Sequence, residues 1–207
     1  MEGINQVFVK GLGSILLFVF LTSCASVPEL KVHYQLPPPS NDLKGRKVYL
    51  ELEDARKTKE IFGARGKQEF GSFTGQISFS LARYNEPGFK IGPFELTAMV
   101  KEGFKRRLET AGMEVLSSQS HGEPQLLIIL NEFLLDRVDR KWVAKMSYEA
   151  RLMKDGETLS KQVISGEAER VKMLGRGEAS TVAGELFTDM LNRVNLLRLF
   201  QQANLIG

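Results

Sequence analysis

The sequence is poor in the side chains that most often do chemistry. It has a single cysteine, Cys24, in 207 residues. One thiol cannot form an internal disulfide, so a folded body must stand on its apolar core alone. There are two histidines, His33 and His121. A zinc site takes three or four clustered ligands, and these two are far apart in sequence and remote from a second cysteine, so both read as solvated. No G-x-S-x-G, P-loop or dinucleotide fingerprint is present. Gly175-Arg176-Gly177 lacks the Lys-Ser/Thr pair of a phosphate cradle and reads as a hinge. The acidic pairs Glu51/Glu53 and Glu167/Glu169 have the spacing of two that puts each pair on one strand face, where solvation is the plain expectation. The sequence therefore predicts no catalytic centre, no cofactor and no metal. Charge is close to balance, with 28 Lys+Arg against 25 Asp+Glu and a net +3, too mild for a nucleic-acid partner.

The N-terminus carries the most specific signal. Gly11 to Leu21 is an uncharged apolar run of about eleven residues behind Lys10. That is short of the roughly twenty residues a membrane-spanning helix needs and normal for the apolar part of a signal peptide. Leu21-Thr22-Ser23-Cys24 follows at once. Its order, an aliphatic residue, two small ones and then cysteine, matches the lipobox of bacterial lipoproteins. Small residues let the signal peptidase reach the backbone, and the thiol must carry diacylglycerol before cleavage. The expectation is a cut between Ser23 and Cys24, lipid on Cys24, and a membrane anchor. Ala25, in place of the aspartate that commonly retains lipoproteins on the inner membrane, directs the anchor to the outer membrane, facing the periplasm.

Three parts follow: a signal peptide at 1–23, a lipidated proline-rich tether at 24–41, and one domain at 42–207. Pro37-Pro38-Pro39 favours a stiff extended spacer, although Val32, Tyr34 and Leu36 alternate as a short edge strand would. In the domain, Lys47 to Leu52 reads as a first strand, and Ile77, Phe79 and Leu81 suit a half-buried strand within a glycine-rich insert. Phe94 to Ala111 reads as a helix stopped by Gly112. Met113 to Leu116 suits a short strand, and Leu126 to Leu135 a strand covered on both faces. Trp142, Ala144, Met146, Tyr148, Ala150 and Leu152 alternate with Lys145, Ser147, Glu149 and Arg151, Asp155-Gly156 suits a tight hairpin turn, and Thr158 to Val171 returns as the partner strand. A last helix is expected from Thr181 to Phe200. The resulting fold class is α+β: a two-layer sandwich with a mixed, mostly antiparallel sheet and two helices packed on one face.

Two surface features stand out. Phe70, Phe73, Phe79 and Phe89 fall in the insert amid glycines, and any of these rings left exposed would form an apolar contact patch for a partner. Lys101, Lys105, Arg106 and Arg107 make the first long helix basic, which suits anionic headgroups near the anchor, though Glu102 and Glu109 are interspersed.

Taken together, Leu21 to Cys24, the Asp54-Ala55-Arg56 end of the first strand, Ala111-Gly112 before Met113-Glu114-Val115, the apolar strand near Leu126 to Leu130, and Phe200-Gln201-Gln202 in the late helix resemble the YajG-type family of small bacterial lipoproteins. The insert is longer here than in that pattern. The resemblance implies a periplasmic, outer-membrane-anchored protein of unassigned activity. At fold level the order of elements is also similar to the periplasmic domain of curli-secretion lipoproteins and to auxiliary lipoproteins of lipid transporters. The expectation is a non-enzymatic binding or assembly module of the cell envelope, with envelope proteins as partners and a homo-oligomer left open. The alternative is an accessory lipoprotein of a lipid-transport or secretion system.

Overall fold

Trp142, Ala144, Met146, Tyr148, Ala150 and Leu152 are each no more than 1% exposed, and their alternation with polar residues gives the molecule its principal surface. They line one face of a long strand, and a helical layer covers that face. In the computed structural model, residues 29–71, 78–83, 89–93, 95–171 and 177–206 are described. In chain order they form β1 (Glu29–Tyr34), β2 (Lys47–Asp54), α1 (Ala64–Phe70), β3 (Ser78–Arg83), β4 (Phe89–Pro93), α2 (Leu96–Thr110), β5 (Glu114–Leu116), β6 (Gln125–Val138), β7 (Lys141–Lys154), β8 (Glu157–Val171), α3 (Gly177–Arg193) and α4 (Leu196–Gln202).

The fold is α+β, as the sequence implies. A five-stranded sheet has the order β5-β2-β6-β7-β8. β2 runs parallel to both β5 and β6, while β6, β7 and β8 form an antiparallel meander. The β7–β8 turn is Asp155-Gly156, with φ of 51° and 86°, the positive pair that two-residue hairpins favour. The two long helices pack against the sheet through Tyr148 of β7. Its ring meets Phe104 of α2 edge-on at 5.1 Å, and its hydroxyl donates to the Met190 carbonyl of α3 at 2.7 Å. Burial pushes that phenol well above its usual range. The helices approach each other closely at Gly103, where a Cβ would lie 2.5 Å from the Phe187 ring.

Three expectations change. The segment 24–41 is not all tether: β1 lies within it and buries Leu30, Val32 and Tyr34. β1 joins β3 in parallel and β4 extends that pair into a second, three-stranded sheet. The prolines carry the chain from β1 to the end of α2, where Ser40 N–H donates to Thr110 O at 2.8 Å and Leu43 N–H to Ala111 O at 3.2 Å. The last helix is two helices, α3 and α4. Asn195 ends the run because its side chain accepts from the Arg198 N–H at 2.9 Å and caps α4. Gln162 of β8 pins the break, bonding both the N–H and the carbonyl of Asn195, at 3.0 and 2.9 Å. Finally, the first part of the insert is a helix, α1, seated on the tail of β6. Gly66 N–H donates to Asp136 Oδ1 at 2.7 Å, and Arg137 pairs with Glu69 at 2.9 Å.

Candidate functional site

The first residue of β1 is five positions after Cys24, and the strand's free edge does not face water. Ser180, Gly184, Thr188 and Asn192 of α3 recur every four residues and form one row along the helix. Four helical residues rise about 6 Å, and two strand residues span about 6.6 Å, so the row keeps step with alternate positions of β1. Lys31 N–H donates to Ser180 Oγ at 3.1 Å, Gln35 N–H to Thr188 Oγ1 at 3.0 Å, and Asn192 Nδ2 to the Gln35 carbonyl at 3.1 Å. Between them the helix must come close, and Gly184 allows it, since a Cβ there would sit 2.3 Å from His33 O. The tie is strengthened below by Tyr34, which meets Phe187 edge-on at 5.6 Å.

The exposed side chains Lys31, His33 and Gln35 turn outward and, with Thr181, Glu185 and Asp189 of α3, line an open groove of about 920 Å³. Its two helical carboxylates are engaged from behind: Glu185 pairs with Arg170 of β8, and Asp189 with Arg193 at 2.7 Å. The hydroxyls of Ser180 and Thr188 and the amide of Asn192 are committed to the strand edge. The groove thus offers a ridge of mixed charge beside a rigid strand. That arrangement suits the recognition of a polar surface. Among the described residues no cluster of three or more His, Cys, Asp or Glu is placed to hold a metal.

The sequence-derived contact residues fare unevenly. Phe70 is 2% exposed and stacks against Phe62 at 4.7 Å and Trp142 at 5.9 Å. It is a core residue, and the contact role assigned to it does not stand. Phe73 lies outside the described residues, as do Ser23 and Cys24; Phe79 and Phe89 belong to β3 and β4, in register with Ile91 and Leu81, and their side chains lie outside the description. The basic face of α2 is neutralised in part, with Arg106 bonded to Glu102 at 2.9 Å and close to Glu109 at 3.6 Å, and Lys105 near Glu109 at 4.0 Å. Glu167 and Glu169 form cross-strand pairs with Lys145 and Lys141, at 2.9 and 2.5 Å, Glu51 accepts from Gln125, and His121 is exposed. The residues that hold β1 were missed. Their signal was present in the sequence as small or hydrogen-bonding residues at strict spacing of four, on a helix whose apolar stripe alone drew notice.

The Asp54-Ala55-Arg56 stretch closes β2 by a local clamp. Arg56 is 8% exposed and donates from Nε and Nη2 to the two carboxylate oxygens of Asp54, each at 2.9 Å. Arg56 hydrogen bonding holds the Asp54 carboxyl down at about 2, with Lys59 adding to it. A carboxyl lowered in the folded state contributes stability above its unfolded value near 4 and loses that contribution as pH falls toward 2. Asp54→Asn should flatten the wild-type decline in urea midpoint between about pH 4 and pH 2. Parallel profiles for the two proteins would show that the clamp does not couple folding to pH.

No protein-family model matches the sequence, and no curated protein matches it either. Solved structures do. A Xanthomonas campestris protein of the DUF330 family has 11% identity and a TM-score of 0.55, covering 87% of this chain and 100% of its own. A minor lipoprotein from Acinetobacter baumannii has 11% identity and a TM-score of 0.43, covering 78% of this chain and 94% of its own. Rare lipoprotein B from Shewanella oneidensis has 9% identity and a TM-score of 0.42, covering 76% and 98%. The first shares the fold over most of the chain. At 11% identity that likeness shows the fold alone, and the YajG-type family is not singled out.

Proposed function

We propose that the protein is a YajG-type envelope lipoprotein, acylated on Cys24, held in the outer membrane and facing the periplasm, where it binds protein partners and transforms no substrate. The observation that carries this reading is Leu21-Thr22-Ser23-Cys24 directly behind a short apolar run. No helix among the described residues is long and apolar enough to cross a membrane, and a lipidated cysteine needs none. The partner surface is the groove along β1 and α3, since Phe70 is committed to the core. Lys31, His33 and Gln35 stand there on a strand whose backbone α3 holds in place.

Intact mass of the protein purified from membranes should correspond to a chain beginning at Cys24 with two or three acyl groups. Cys24→Ala should move the protein from the membrane fraction, either left uncleaved or released if another peptidase trims it. An unmodified thiol on mature wild-type protein would end the lipoprotein reading. With the anchor established, a photo-crosslinker at His33 should capture envelope proteins and one at Glu157, far along the sheet, should not. Equal capture at both positions would remove the groove as the partner surface.

A further inference from the structure

The anchor and the fold together determine which end of the domain meets the bilayer. Cys24 and Glu29 are five residues apart, so the chain between the lipid and β1 spans less than about 18 Å even fully extended. The sheet is much longer: the fourteen residues of β7 run about 46 Å. Only one end of that long axis lies within the reach of the tether. The contacts of α3 identify it. The Lys31–Ser180 and Gln35–Thr188 bonds show that β1 and α3 run in the same direction. The Arg170–Glu185 pair and the bond from Arg193 to Ser165 O show that α3 runs opposite to β8. The start of β1, the start of α3, the end of β8 and the β6–β7 hairpin tip therefore share one end of the molecule.

Apolar side chains are left uncovered at that end. Val138, Lys141 and Val171 are cross-strand partners in one row across β6, β7 and β8. Val138 and Val171 are 50% and 57% exposed, two of the four large apolar residues that the described surface leaves in water. Arg140, exposed at the hairpin tip, has no ion pair among the described residues.

We infer that this end is a membrane-contact surface: Val138 and Val171 rest at the headgroup level of the bilayer that holds the Cys24 lipid, with Arg140 toward the phosphates. The inference builds on the lipoprotein reading. A solvent-exposed valine at a strand end tolerates substitution. Because acylation consumes the one native thiol, a cysteine introduced elsewhere is the only one free to label.

The test uses the full mature lipoprotein in vesicles of three parts phosphatidylethanolamine to one part phosphatidylglycerol. V138C, V171C, V163C and E157C are each labelled with an environment-sensitive fluorophore and challenged with spin-labelled lipid in the headgroup region. Quenching should be several-fold greater at 138 and 171 than at 157, with 163 close to 157. Quenching at 163 as strong as at 138 and 171, whose side chains share its open sheet face, would mean that the domain lies on its side and would overturn the inference. So would uniformly weak quenching in protein whose mass confirms acylation, which would leave the lipoprotein reading intact and assign the exposed valines to another partner. An unmodified Cys24 would remove both.

Discussion

Phe70→Ala is expected to cost about 3–5 kcal/mol, the range for large-to-small changes of buried aromatics. The ring closes α1 over the three-stranded end of the sheet, between Phe62 and the fully buried Trp142. α1 cannot settle inward to refill the space, because Gly63 and Gly66 already bring its backbone against β6. A Cβ at Gly63 would lie 2.1 Å from the Asp136 side chain, and one at Gly66 would lie 2.9 Å from Leu135 O. A cavity that cannot collapse places the cost toward the upper end of that range. Against a total stability of order 5–15 kcal/mol, such a loss shows clearly in urea denaturation, as a fall in midpoint at unchanged slope. The Trp142 ring, no longer covered by Phe70, should also shift its emission to the red in the folded baseline. A loss within 1 kcal/mol would return Phe70 to the surface and revive the aromatic insert as a contact site. Capture of partners through the groove, measured below the unfolding transition, should be unaffected by this change.

The contrast between Phe70 and β7 shows what the sequence could convey. Along β7 each buried residue alternates with a polar one from Ala144 to Leu152, and the register with β6 and β8 follows from a face that can point only one way. The strands β6 to β8, the turn at Asp155-Gly156 and α2 were legible for that reason. The segment with Phe70 gave no period. Seven residues make barely two turns, and a phenylalanine among glycines looks the same whether it covers a tryptophan or faces water. β1 posed the opposite problem. Its alternation of Leu30, Val32 and Tyr34 was visible, but proline and the nearby anchor favoured a spacer. The partner that decides the matter, α3, begins almost 150 residues later. The site was less legible than the fold. The groove exists because a helix stripe and a strand edge keep step, and neither half shows its purpose alone.

Gly184 tests that match most directly, and two effects oppose each other there. Helix propensity alone predicts that Gly184→Ala, inside the long helix α3, gains about 1 kcal/mol. The structure predicts a loss. The added Cβ would meet His33 O at 2.3 Å and His33 N and C at 3.2 Å, and these backbone atoms cannot rotate away as a side chain could. Overpacking of this kind costs typically 1–3 kcal/mol. Relief by moving β1 outward would stretch the bonds to Ser180, Thr188 and Asn192, each worth about 0.5–1.5 kcal/mol net. The expected order of stability is therefore glycine, alanine, then valine. Alanine should lose about 1–3 kcal/mol; valine, bulkier and a poorer helix former, should lose about 3–5 kcal/mol. Hydrogen exchange should show where the loss falls, with protection dropping first at the Lys31 and Gln35 amides, whose acceptors lie on α3. A freed β1 would also lengthen the chain between Cys24 and the folded body, so in vesicles the quenching at position 138 should weaken in the same variants. Greater stability for Gly184→Ala would mean that helix and strand do not touch, and that the anchor does not hold the domain through β1.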